Sequence, residues 1–249
     1  MATRAEVAVT ACSDLFRGAG AILASPTGIV AGIGARLARL THAPDLLLSD
    51  GEATLYADTP AIDEPFREPE APLPYRALFE LIARGRRHVV MGAAQIDRFG
   101  NQNLSAIGDR DHPRRQLLGA RAASTNTLNH RTSYWIARHA PRTFVERVDV
   151  VTGIGTDRAA ALGRAGRFHD LHRIVTNLAV LDLSGPEGTM AIVSTHPGVS
   201  VDEVQAATGF ELWVPPTVPT TREPDDDEVS IIRDLLDPRG LREREVPQP

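Results

Sequence analysis

Two stretches of this chain set reactive residue types at spacings that could do chemistry. The first is Ser49-Asp50-Gly51-Glu52, two carboxylates flanking a glycine directly after the apolar run Asp45–Ser49. Ligands of open α/β sheets bind outside the carboxyl ends of strands, and a carboxylate there can serve as base, nucleophile or substrate-orienting acceptor. Asp-Gly is equally a favoured turn dipeptide, so a plain turn is the competing reading. The second is Gly92-Ala-Ala-Gln-Ile-Asp-Arg-Phe-Gly-Asn-Gln-Asn103, which follows the β-branched run His88-Val-Val-Met91. A buried strand that delivers Gln95, Asp97, Asn101 and Asn103 to a turn must give those polar groups partners. Arg98-Phe-Gly-Asn101 reads as the turn, since Gly and Asn tolerate positive φ.

The elements that must position these residues alternate between helix and strand. Thr3–Leu15 reads as an amphipathic helix and Gly20–Ser25 as a short strand. Gly28–Leu40 is expected to be a helix in which Gly28, Gly32 and Gly34 allow close packing. A Pro- and acid-rich loop covers Asp58–Pro74. Tyr75–Arg84 forms a helix closed by Gly85. Later strands are expected at Ser133–Ala137, Phe144–Val151, Ile174–Asp182 and Met190–Ser194, and a helix at Val201–Thr208. The alternation predicts an α/β fold with an open, mostly parallel sheet flanked by helices. Residues 1–214 are expected to form that domain. Residues 215–249 turn Pro-rich and acidic, a loose extension with one short helix at Val229–Leu236.

Composition removes several classes of function. The chain has 249 residues, 42% hydrophobic and 24% charged, with net charge -5, which argues against nucleic-acid binding. No apolar run reaches the roughly 18 residues of a membrane span, and no signal-type segment opens the chain, so the expected compartment is the cytoplasm. A single cysteine, Cys12, excludes an internal disulfide and is expected to be a packed thiol. There is no lysine, which excludes Schiff-base chemistry and a P-loop on this chain. Gly18-Ala-Gly20 and Gly153-Ile-Gly155 suggest dinucleotide loops, but Leu23 and Arg158 stand where a third glycine is needed. His169 and His172 could share a helical face. Without further ligands they read as a polar face rather than a metal site. Asp225-Asp-Asp-Glu228 reads as a solvated helix start that complements the helix dipole.

Three blocks carry a family resemblance: Pro26–Pro44, Gly92–Gly108 and His196–Phe210. The middle one, GAAQIDRFGNQNLSAIG, is similar to the "GaaQiD.yGNiN" signature of family I coenzyme A transferases, and the last to a "hpGvt.eev...TGf" segment. The chain resembles β subunits of the glutaconate type. Within them it resembles the actinobacterial branch that opens a ring in steroid and cholesterol catabolism. The resemblance implies an enzyme subunit paired with an α subunit as heterodimer or heterotetramer, an active site formed between the two, and coenzyme A as part of the substrate. It implies no bound cofactor or metal, no nucleic acid and no membrane.

The family's covalent glutamate falls in an "E-S-G" or "S-E-N-G" turn. Here Ser49 or Asp50 occupies that slot, with Glu52 beyond it, and Asp is one methylene too short. At Leu118–Ala123 only Gly119 remains of a Gly-Gly pair that helps form the family's oxyanion hole. Both departures favour hydrolytic, retro-Claisen carbon–carbon cleavage of a cyclic β-keto acyl-CoA over covalent CoA transfer. A transferase working through Asp50 or Glu52, and a scaffolding subunit, are the alternatives. Asp50 and Glu52 are the expected catalytic acids, with the base on this chain or on the partner. Ser49, Gln95, Asp97, Asn101, Asn103 and Gly119 are the expected substrate-binding residues.

Overall fold

Thr3 opens the first helix with a reciprocal capping box to Glu6, and α1 then spans Arg4–Asp14. The computed structural model describes residues 2–51, 53–120 and 122–247. Its contacts divide the chain into two compact units, Met1–Met91 with Thr221–Pro249, and Gly92–Thr220.

In the first unit, α1 is buried on nearly every side rather than on one stripe. It packs on α2 (Ile29–Leu40), and a Cβ added at Gly34 would lie 2.7 Å from the Cys12 Cβ. Glycine there lets the two helices approach backbone to backbone, and Cys12 is the packed thiol expected. β1 (Leu23–Pro26) pairs in parallel with β5 (Arg87–Met91). Between them, β2 (Leu48–Ser49), β3 (Thr54–Tyr56) and β4 (Pro69–Pro72) form a small antiparallel sheet, so the expected acidic loop contains a strand. α3 (Tyr75–Ala83) follows, and Gly85 ends it at φ +64°.

In the second unit, β6 (Gln95–Ile96) pairs antiparallel with β7 (Gln102–Asn103), and β8 (Ala106–Gly108) with β9 (Pro113–Gln116). After α4 (Ala123–Asn129), β10 (Arg131–Ile136) lies parallel to β11 (Asp170–Thr176), with α5 (Thr156–Ala161) between them in sequence. β12 (Ala179–Asp182) and β13 (Ala191–Thr195) then run antiparallel, and α6 (Val201–Ala206) follows. The α/β class is as expected, and β1–β5 and β10–β11 are parallel ladders.

Three local expectations are corrected. Phe144–Val151 is not a strand; Phe144 makes one bridge to Ile96, and the rest is irregular because its groups serve the adjoining turn. Ile174–Asp182 is two strands folded at Asn177-Leu178, where the Thr176 hydroxyl accepts from the Leu178 and Ala179 amides. His169 precedes β11 and His172 lies within it, so they share no helical face.

The terminal segment returns to the first unit. α7 (Asp226–Ser230), a π-helical turn at Ile231–Leu236 and α8 (Leu241–Glu245) bury Ile232, Leu236 and Val246. It is ordered by charge as well as by burial. Arg242 and Arg233 both bond the buried Glu6 of α1, at 2.9 and 2.7 Å, and Arg242 also pairs with Asp237. Burial pushes the Glu6 carboxyl up, but the bonds from Arg233 and Thr3 and the Arg242 charge outweigh it and hold it below its ordinary value. Glu228, expected in a solvated flank, is buried against Arg222 at 2.7 Å.

Candidate active site

The Gly92–Asn103 segment folds into a tight hairpin whose polar side chains are spent on one another. Only Gly100 takes positive φ in the turn, at +79°, and a Cβ there would meet Leu171 and Leu183 at 2.9 and 3.0 Å. Asp97 closes the turn: its Oδ1 accepts from the Phe99 and Asn101 amides at 3.1 and 3.0 Å. The Asn101 side-chain nitrogen donates to Asp97 and to Asp157, at 3.0 Å to the latter. Burial raises the Asp97 carboxyl above its ordinary value, against the hydrogen bonds from Asn101 and Phe99 that lower it. The Gln95 oxygen accepts from the Asn103 side chain at 2.7 Å and the Asp149 amide at 3.0 Å. Its nitrogen donates to Asp149 Oδ2 at 3.0 Å. Gln95, Asp97, Asn101 and Asn103 are thus buried members of one frame.

Sequence reasoning missed the other half of that frame. Gly153-Ile-Gly155 is not a nucleotide loop; it is a backbone strip laid against the turn. The Gln102 amide donates to the Gly153 carbonyl at 2.9 Å, and the Gly155 amide donates to the Asn101 side chain at 2.8 Å. A Cβ at Gly155 would lie 2.7 Å from the Asn101 nitrogen and overlap the Phe99 carbonyl. The missed signal was Thr152-Gly-Ile-Gly-Thr-Asp157 itself, two glycines with a carboxylate two residues on.

Asp149 links the frame to the β8–β9 hairpin, since its Oδ2 also accepts from the Gly108 amide at 2.7 Å. Gly119, at φ +90°, donates its amide to the Leu104 carbonyl at 3.0 Å, so that amide is committed to the hairpin. A cavity of about 350 Å³ opens beside the turn. Charged side chains such as Asp97, Arg98 and Asp157 line it together with the apolar Phe99, Val148 and Val151, a mixed wall.

In the first unit, Ser49-Asp50-Gly51 makes the turn between β2 and β3. The Ser49 hydroxyl accepts from the Gly51 amide at 3.2 Å, and Gly51 sits at φ +79°. Asp50 is exposed, and its Oδ1 accepts from the Ala53 and Thr54 amides at 3.1 and 3.2 Å. Glu52 lies outside the described residues. Asp50 and Ser49 belong to one unit and the Gly92–Asn103 frame to the other.

His169 bonds the Thr127 carbonyl at 2.6 Å, and among the described residues no group of three or more metal-binding side chains exists. No helix of the described residues is long and apolar enough to cross a membrane.

This α/β fold and its Gly92–Asn103 frame define a coenzyme A transferase-type chain, and the chain belongs to that family: residues 73–207 match Coenzyme A transferase. It is 53% identical to the cholesterol ring-cleaving hydrolase IpdB subunit of Rhodococcus jostii (strain RHA1), over 98% of this chain and 96% of that one. The crystal structure of Rhodococcus jostii RHA1 IpdAB superposes with a TM-score of 0.94 at 52% identity, covering 98% of each chain. The decarboxylase AibA/AibB is similar at 26% identity, with a TM-score of 0.85 over 98% of each chain.

Proposed function

We propose that this chain is the β subunit of a heteromeric hydrolase that opens the ring of a cyclic β-keto acyl-CoA in cholesterol catabolism. The observation that carries this reading is the 53% identity to a ring-cleaving hydrolase subunit across nearly the whole of both chains. The fold alone would not choose the reaction, because the similar AibA/AibB is a decarboxylase.

Water adds to the ring ketone, and the bond between that carbon and the α-carbon breaks. The electron pair enters the thioester enolate, which takes a proton at carbon, and the former ketone leaves as a carboxylic acid. The step is redox-neutral and consumes only water, so it calls for no redox cofactor. It needs a base for the water and donors for the oxyanion. The base belongs to the companion α subunit. On this chain, Asp50 orients the substrate or the water. Asp50 is poorly suited to covalent transfer: its Oδ1 is engaged by two backbone amides and its side chain is one methylene short of glutamate. The cytoplasm, where CoA thioesters circulate, is the compartment of this reading, in keeping with a single buried thiol.

The test is the co-purified heteromer acting on a cyclic β-keto acyl-CoA in ¹⁸O-water. One labelled oxygen should enter the new carboxylate, with no exchange of CoA onto acetate. CoA exchange together with a hydroxylamine-trappable adduct on Asp50 would establish a transferase instead.

A further inference from the structure

The β8–β9 hairpin carries charge that the frame does not use. Asn103 starts it: its side-chain oxygen accepts from the Ser105 and Ala106 amides, and its nitrogen donates to the Ala106 carbonyl at 2.7 Å. Asp149 fixes it a second time at Gly108 while holding Gln95. Pairing then runs Ala106 with Gln116, Ile107 with Arg115 and Gly108 with Pro113. Beyond this firmly tied base stand Arg110, Arg114 and Arg115, all exposed, in a chain whose net charge is -5. The exposed Asp109 carboxylate accepts from the Asp111 and His112 amides, at 2.7 and 3.1 Å, and Asp111 is exposed beside it, so the arginines outnumber the neighbouring acids by three to two.

We propose that the arginine-bearing end of this hairpin, with Arg110, Arg114 and Arg115, binds the phosphorylated nucleotide end of coenzyme A. The inference rests on the reading that the substrate is a CoA thioester. A guanidinium fork matches phosphate oxygens in pairs, and the nucleotide end of CoA carries a diphosphate and a 3′-phosphate. At the rise of an extended strand, Arg110 lies at most about 13 Å along the hairpin from Ala106, the residue that Asn103 holds, a span on the scale of a pantetheine arm. The frame would hold the acyl end and the hairpin the phosphate end, with Asp149 fixing both to one register. Exposed edge strands also carry arginine to resist aggregation. That role predicts no dependence of substrate binding on these side chains.

The experiment compares the co-purified heteromer with its Arg114→Gln/Arg115→Gln and Arg114→Lys/Arg115→Lys forms. Calorimetry with free CoA and 3′-dephospho-CoA is paired with steady-state kinetics on the acyl-CoA. In the Gln form, CoA binding should weaken about tenfold or more and KM should rise alike, as for loss of charge-assisted bonds. Its kcat should stay within about twofold, the mark of lost ground-state binding. Dephospho-CoA should lose less, and the Lys form should recover part of the affinity. Unchanged CoA binding, an equal fall in kcat, or failure of the Gln form to assemble with the companion subunit would overturn the proposal. If the unsubstituted heteromer bound no CoA, the CoA-thioester reading itself would fall, and this one with it.

Discussion

At the residue scale, the side chains that looked catalytic divide into builders and one exposed acid. Gln95 spends its amide oxygen on two donors and its nitrogen on Asp149. It therefore acts through the residues it holds, and Gln95→Ala leaves the Asn103 and Asp149 groups without their partner. Turnover should fall strongly, and the melting temperature should fall too, because a lost buried partner costs about 1–3 kcal/mol. Asp50 differs. Asp50→Asn keeps an oxygen to accept the Ala53 and Thr54 amides, so the β2–β3 turn should survive while the charge is lost. Steady-state kinetics should show kcat reduced about a hundredfold or more, with an unchanged melting temperature. If Asp50→Asn turned over like the unsubstituted heteromer, Ser49–Gly51 would be only a turn.

At the scale of elements, the signature turn depends on a strip more than fifty residues away in sequence. Gly155→Ala drives a methyl group against the Phe99 carbonyl and the Asn101 amide. Overpacking of this kind costs about 1–3 kcal/mol, so thermal melts should shift down and activity should fall with them. Gly163→Ala, where a Cβ meets nothing, is the control for added volume, although its φ of +54° brings some strain of its own. If Gly155→Ala destabilised no more than Gly163→Ala, the strip would not be positioning the turn. This dependence also explains what the sequence could convey. α1, α2, α3 and β5 were legible because burial and glycine punctuation act locally. The turn at Gly100 was legible for the same reason. Phe144–Val151 was not, because its apolar spacing imitates a strand while its backbone serves Ile96 and the frame. Gly153 and Gly155 were visible but misread, since a glycine needed for close approach and one needed for phosphate look alike in one dimension. Asp149 carried no local signal; only folding brings it to Gln95 and Gly108.

At the scale of the whole molecule, the buried His139 and the half-buried His172 shape how the fold responds to acid. His139 lies between the Thr176 and Thr208 hydroxyls, at 3.1 and 3.0 Å, and its ring stacks on Phe144 at 3.8 Å. Burial pushes its pKa down from 6.5 to about 3. Burial, with the Arg131 and Arg173 charges, takes His172 to about 4. Both rings stay neutral in the folded chain at a pH where the unfolded chain protonates them. Their contribution to stability is complete above about pH 6.5 and is lost as pH falls toward those depressed values. Each such histidine contributes a slope of up to about 1.4 kcal/mol per pH unit within that window. Asp97 acts in the opposite sense. Its raised pKa means the folded chain holds that proton more tightly, which favours folding below the ordinary carboxylate range and is lost as pH rises through the folded value. Between pH 6.5 and about 4.5 Asp97 offsets part of this loss as the folded chain takes up its proton, but two histidines act against one carboxylate and dominate. Urea midpoints measured across that range should therefore fall steadily. His139→Gln, which has no titrating ring, should be less stable at pH 7.5 but show a shallower fall. Equal slopes for the two proteins would mean that His139 is not a source of the acid sensitivity.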